Sequence, residues 1–211
     1  RQRQMCIRDS LSSVSLIGKY TGGDEQDKRD KHILRIRSAV SNLTDILNEF
    51  LSLGKIEEGK IQLHVTEFNL KEQMNLIISE IHPILKMNQK IHYDHNGLDH
   101  ANLDVSLIRN IMINLISNAI KFSPEHSTIL VQTENNGHSI QISVKDEGLG
   151  IPEDDMKHLF ERFFRGKNVV NIQGTGLGLH IVSRYIDLMG GKITVKSELE
   201  KGTEFTINFN I

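Results

Sequence analysis

The chain is nearly free of cysteine, nearly free of net charge, and free of long apolar runs. Its single cysteine, Cys6, excludes an intramolecular disulfide and fits a reducing compartment. A formal net charge of -2 removes the electrostatic reason to expect a nucleic-acid partner. Nothing approaches the ~18–20 consecutive apolar residues of a membrane span, so no membrane segment is expected in this chain. No secretory signal pattern is visible. Also missing are a GxxxxGK[ST] phosphate loop and any metal-ligand spacing among the ten histidines. What is present is an ordinary apolar share, 38% of 211 residues, enough for one large domain or two small ones.

Two regions follow different patterns. From Asp27 to about Glu58, Ile33, Ile36, Val40, Leu43, Leu47 and Phe50 recur in a 3-4 rhythm, a heptad seam. Ala39, Ile46 and Leu53 add a flanking line that widens the stripe toward a bundle. "TGGDEQ" reads as a turn and helix start, and Leu11, Val14, Leu16 and Ile17 mark a shorter helix before it. Residues 11–60 are therefore expected to form a helical hairpin, half of a four-helix bundle completed in a homodimer. The competing expectation is that the apolar face packs on the C-terminal domain.

After "GKIEEGK" the pattern changes. Strands "IQLHVTEFN" and "KIHYDHN" flank a helix Leu70–Leu85, tempered near its end by Pro83. Next come a helix Val105–Phe122, strands "STILVQTE" and "SIQISVKD", a glycine loop and a helix near Leu177–Met189. Strands "KITVKSE" and "TEFTINFN" follow, joined by a hairpin turn at "LEKG". Mostly antiparallel strands with helices on one face predict an α+β fold, a helical hairpin followed by an α/β sandwich.

In "RNIMINLISNAIKFSP" the apolar residues Ile111, Leu115, Ile116 and Ala119 have helical spacing, yet Asn114, Asn118 and Lys121 share one stripe of that helix. Such a stripe is ordinarily a solvent face. Asparagine, however, is a mediocre helix former, and Leu115 and Ile116 crowd both flanks. Amide oxygens suit a hard cation such as Mg2+, and the lysine suits phosphate. "VKDEGLGIP" ends a strand on Asp146, an acceptor for an exocyclic amine, before Gly148 and Gly150. "GTGLGLHIV" sets Gly174, Gly176 and Gly178 ahead of a helix, where backbone N–H groups and the helix dipole favour phosphate. Its alternating glycines do not match the Rossmann pattern. Between the loops, Leu159, Phe160, Phe163 and Phe164 read as an anchor and 168–173 as a mobile segment hinged by Gly166 and Gly174. Such a segment closes over a nucleotide, with Arg162 or Arg165 near its phosphates.

Taken in order, these motifs resemble the catalytic ATP-binding domain of sensor histidine kinases in the GHKL ATPase superfamily. "NLISNAIKFSP" is similar to the N box, "DEGLGIP" to the G1 box, "LFERFFR" to the F box and "GTGLGLHIV" to the G2 box. "KGTEF", around Gly202, resembles the terminal glycine motif. The resemblance covers residues 66–211, and the hairpin resembles the dimerisation and phosphotransfer domain. It implies ATP and Mg2+ as cofactors, a cytoplasmic location with any membrane anchor upstream, and a response-regulator receiver domain as partner. Asn118 is implied as the metal ligand, with Asn114 supporting metal and phosphate, and Lys121 as a phosphate contact; Asn114 and Lys121 form the catalytic pair. The implied nucleotide contacts are Asn118, Lys121, Phe122, Asp146, Gly148, Gly150, Ile151, Arg162, Arg165, Gly174, Thr175, Gly176, Leu177 and Gly178. Gyrase, MutL and Hsp90 types carry a glutamate where Asn114 stands. An amide cannot act as that base, so the site suits phosphoryl transfer better than hydrolysis.

The family's H box, roughly "HExRTPL", is not found, and the position for its histidine falls close to Arg1. Residues 1–10, "RQRQMCIRDS", are expected to be a non-native leader, because Met-Cys-Ile-Arg-Asp matches a reading frame of a transposon end used in sequencing libraries. His32 is the nearest substitute acceptor but lacks the adjoining carboxylate and the following proline. The chain as given is thus expected to bind Mg–ATP without phosphorylating itself. The alternatives are a serine kinase of the anti-sigma type and a non-catalytic ATP-binding dimerisation scaffold.

Overall fold

The computed structural model describes residues 2–20, 22, 25–169, 172 and 174–210. The readings placed on Arg1, on Thr21, Gly23 and Asp24 of the turn, and on Val170, Asn171 and Gln173 of the loop lie outside the described residues. The chain divides into two compact units, Arg1–Lys60 and Ile61–Ile211.

In the first unit, helix α1 (Gln2–Ile17) packs along α2 (Gln26–Glu57). Helix α1 begins at Gln2, inside the stretch expected to be a leader. The turn is held by Arg29, whose guanidinium donates to the carbonyls of Tyr20 (2.6 Å) and Gly22 (2.9 Å). His32 is buried, with Nδ1 3.3 Å from Ser13 Oγ and its ring stacked 5.7 Å from Tyr20. The flanking line of α2 supplies the buried Ala39 and Leu53, whereas Ile33, Val40, Leu47 and Phe50 of the seam are 43–57% exposed. An apolar row left in water on a helix is a face that association would cover.

In the second unit, β1 (Thr66–Asn69) pairs antiparallel with β3 (His100–Leu103). A five-stranded sheet runs β2-β4-β5-β7-β6, from β2 (Lys90–Gly97), β4 (Thr128–Asn135), β5 (Ser139–Lys145), β6 (Lys192–Glu198) and β7 (Gly202–Asn210). Among the described strands of this sheet, only β2 and β4 pair parallel. A parallel pair needs a crossover, and here it contains α4 (Val105–Phe122). That helix lays Ile108, Ile111, Met112, Leu115 and Ile116 into the core with the sheet residues Ile129, Val131, Ile140, Ile142 and Phe209. Helices α3 (Leu70–Ile81) and α6 (Gly178–Leu188) extend the layer, and a short α5 (Glu153–Met156) follows the loop after β5.

Three elements depart from the pattern. The first strand is limited to Thr66–Asn69 because its partner β3 offers only four residues. Strand β3 itself, "HANL", alternates exposed and buried residues, but four residues are too few to stand out from the sequence around them. Helix α3 stops at Ile81 rather than Leu85, and the chain continues as a 3-10 turn His82–Ile84 around Pro83, which has no N–H to donate. Asn69 caps α3 by accepting from Glu72 N at 2.9 Å. Asp104 caps α4 by accepting from Ser106 N (2.9 Å) and Leu107 N (3.0 Å), while its second oxygen accepts from His64 N (2.8 Å). No helix among the described residues is long and apolar enough to cross a membrane.

Candidate nucleotide site

The polar stripe of α4 is half-buried, because Leu115, Ile116, Ala119 and Ile120 beside it are fixed in the core. Asn118 Nδ2 donates to Asn114 Oδ1 at 3.0 Å. That bond orients both amides and leaves Asn118 Oδ1 without a donor among the described residues. An outward amide oxygen in a half-buried setting fits a hard dication, which takes oxygen ligands.

One glycine loop, 174–178, meets this stripe. A Cβ on Gly178 would lie 2.5 Å from Asn114 Nδ2 and 2.9 Å from its Oδ1. A Cβ on Gly174 would lie 2.9 Å from Lys121 Nζ. Gly176 has φ +76° and runs against the backbone of Phe163 and Phe164, where any side chain would collide. Lys121 Nζ also stands 4.9 Å over the Phe122 ring. Gly178 opens α6, so the positive end of that helix dipole faces Asn114.

Beyond the end of α4 lies Asp146, buried at the end of β5. Its Oδ1 accepts from Gly148 N (2.8 Å) and Thr203 N (3.3 Å). Its Oδ2 accepts nothing among the described residues and is the acceptor available to a ligand. Burial pushes this carboxyl up to about 6, opposed by the two backbone N–H groups. The loop is pinned on both sides: Leu149 N donates to Phe122 O (3.3 Å), Glu200 N to Leu149 O (2.8 Å), and Ile151 N to Ser197 Oγ (2.9 Å). Gly150 has φ +64°, and a Cβ there would stand 2.0 Å from Glu198 O.

Other predicted residues take different positions. Leu177 is fully buried and its N–H donates to Thr175 Oγ1 at 3.2 Å, so it anchors the start of α6. Arg165 donates to the carbonyls of Val169 (2.9 Å) and Ile172, closing its own loop. Arg162 Nε lies 3.3 Å from His180 Nε2, while His180 Nδ1 is 2.9 Å from Phe160 O. The expected four-residue anchor is divided: Leu159 is buried, but Phe163 is 58% exposed with φ +61°. Thr203 escaped the sequence reading although it fixes Asp146 through both N–H and carbonyl, the latter accepting from Asp146 N at 2.8 Å. Its only signal was the neighbouring Gly202.

The family model described as "Histidine kinase-, DNA gyrase B-, and HSP90-like ATPase" matches residues 103–211, more than half of the chain. The circadian input-output histidine kinase CikA of Synechococcus elongatus is 29% identical over 95% of this chain and 28% of its own length. The autoinducer 2 sensor kinase/phosphatase LuxQ of Vibrio vulnificus is 34% identical over 97% of this chain and 25% of its own. The chain thus spans about a quarter of the length of these curated relatives. Full-length ShkA, solved in complex with AMPPNP, is 26% identical and superposes with a TM-score of 0.72 over 87% of this chain and 38% of that one.

Proposed function

Because the chain belongs to the family of histidine kinase-, DNA gyrase B- and HSP90-like ATPases, and its curated relatives are sensor histidine kinases, we propose that it is the Mg–ATP-binding part of such a kinase. The carrying observation is the convergence of the glycines on the polar stripe: Gly178 on Asn114 and Gly174 on Lys121, with Gly148 against Asp146. Asn118 Oδ1 holds Mg2+, with Asn114 orienting it. Lys121 and the first turn of α6 meet the phosphates, with Gly174, Thr175 and Gly176 forming their backbone cradle. Asp146 accepts from the adenine amino group, with Phe122, Gly148, Gly150 and Ile151 around the base. Arg162 or Arg165 supplies a further phosphate contact. Bound Mg2+ would neutralise phosphate charge during transfer.

The γ-phosphoryl group passes to a histidine and then to an aspartate of a response-regulator receiver domain, in a cytoplasmic homodimer formed through α1 and α2. Asn114 cannot activate water, which favours transfer over hydrolysis. No H-box pattern precedes Leu11, so the acceptor is proposed to be none of the histidines of residues 11–211. His32 is buried against Ser13 and Tyr20, a poor setting for in-line attack on a phosphate. Placing a family-like H box ahead of Leu11 is expected to create acid-labile, base-stable label from γ-labelled ATP, while the unaltered chain shows almost none. Efficient labelling of the unaltered chain that His32→Gln removes would overturn this assignment.

A further inference from the structure

The C-terminal turn of α4 accounts for its carbonyls in an unusual way. The last four carbonyls of a helix have no partner within it. Here Ala119 O accepts from Ser123 N (3.1 Å) and Phe122 O from Leu149 N (3.3 Å). The other two are held by side chains from the loop before β2: Ile120 O accepts from Gln89 Nε2 (3.2 Å) and Lys121 O from Lys86 Nζ (2.8 Å). The same two side chains also hold the exit from the helix, Lys86 Nζ donating to Ser123 O (2.5 Å) and Gln89 Nε2 to Pro124 O (2.9 Å). Gln89 is buried, and its carbonyl accepts from Lys86 N at 3.0 Å, so the pair is mutually fixed. An ammonium at this end also opposes the negative pole of the α4 dipole.

This turn lies between the two halves of the site. On one side Asn118 and Lys121 face the phosphate end. On the other, Phe122 O holds Leu149 of the Asp146 loop and stands 2.8 Å from where a Gly148 Cβ would be. The geometry points to Lys86 and Gln89 as positioning residues that set the span between the metal–phosphate groups and the base-recognising carboxylate. This inference rests on the nucleotide-binding reading above. Neither residue touches the nucleotide. Each acts through the backbone of residues 120–124.

The test uses the whole chain and Mg–ATP, with the dissociation constant measured by calorimetry well below each variant's unfolding temperature. Lys86→Met keeps the apolar stem and removes the donors, and Gln89→Met does the same at near-constant volume. Each is expected to weaken Mg–ATP binding about tenfold, the effect of about one lost positioning hydrogen bond. Lys86→Arg, which retains charge and donors, should bind nearly as the unaltered chain does. Asn69→Ala removes the α3 cap far along the fold and should lower the unfolding temperature without changing affinity. The inference is overturned if Lys86→Met binds as the unaltered chain does, or if Asn69→Ala weakens binding to the same degree for the same loss of thermal stability. Should Gln89→Met fail to fold, the Lys86 pair of variants decides alone. If the unaltered chain binds no Mg–ATP, the nucleotide reading falls and takes this inference with it. If it binds and the variants match it, only this inference falls.

Discussion

At the scale of single residues, Asp146 carries the sharpest conflict between stability and binding. Its carboxyl is raised to about 6 from an ordinary value of 3.8 because it is buried. The folded protein therefore prefers the neutral acid, and ionising it opposes folding. Without nucleotide, this group's contribution to stability falls as pH rises from about 4 through about 6. A ligand amine donating to the carboxylate has the opposite preference, so Mg–ATP affinity should decline as pH falls below about 6. Asp146→Asn keeps an oxygen for Gly148 and Thr203 but loses the acceptor for the amine. It is expected to raise the unliganded unfolding temperature at pH 7, by about 1–3 kcal/mol in stability, and to weaken nucleotide binding while removing the part of its pH dependence that this carboxyl supplies. Scanning calorimetry with and without nucleotide, at several pH values, reads both effects. Gly202 illustrates a residue whose freedom is structural: φ is +107°, and a Cβ would sit 2.0 Å from Asp146 O. Gly202→Ala should cost more than about 2 kcal/mol by denaturant titration. Gly190→Ala, at φ +71° with open space around it, should cost only about 1 kcal/mol.

At the scale of elements, α4 connects core and site. Its start depends on Asp104, which accepts from three backbone N–H groups while 4% exposed. Asp104→Ala leaves those donors unpaired and should destabilise the second unit by about 2 kcal/mol, measured by chemical unfolding. This helix was legible in the sequence because its whole length keeps one period, and the Asn114–Asn118 pair was legible because it sets two poor helix formers on one stripe of that period, flanked by Leu115 and Ile116. Strand β3 was hidden by its brevity. The holding of α4 at its far end was hidden for a different reason. Lys86 and Gln89 lie 35 and 31 residues away from the helix carbonyls they bind, and neither residue type signals a cap at that distance. The glycine loops were visible, but which glycine meets Asn114 and which meets Lys121 depends on tertiary packing alone.

At the scale of the molecule, the chain forms two compact units. The first leaves Ile33, Val40, Leu47 and Phe50 in water along α2, as a bundle-forming hairpin would before a second copy covers them. A Val40→Ala/Leu47→Ala variant should sediment more as monomer, the Leu47 truncation alone removing roughly 2–5 kcal/mol if fully buried in the dimer. Residues 61–211 alone should stay folded, since they form a compact unit with their own core. The second unit brings a polar helix stripe, a buried carboxylate and two glycine loops to one place. We propose this place as the Mg–ATP site. The most direct measurement is calorimetric titration of Mg–ATP into the unaltered chain, Asn118→Ala and Asp146→Ala, with circular dichroism confirming that each is folded. Clear binding by the unaltered chain, strongly weakened in both variants, is the predicted result. Equal affinity in all three, with the fold intact, would contradict it.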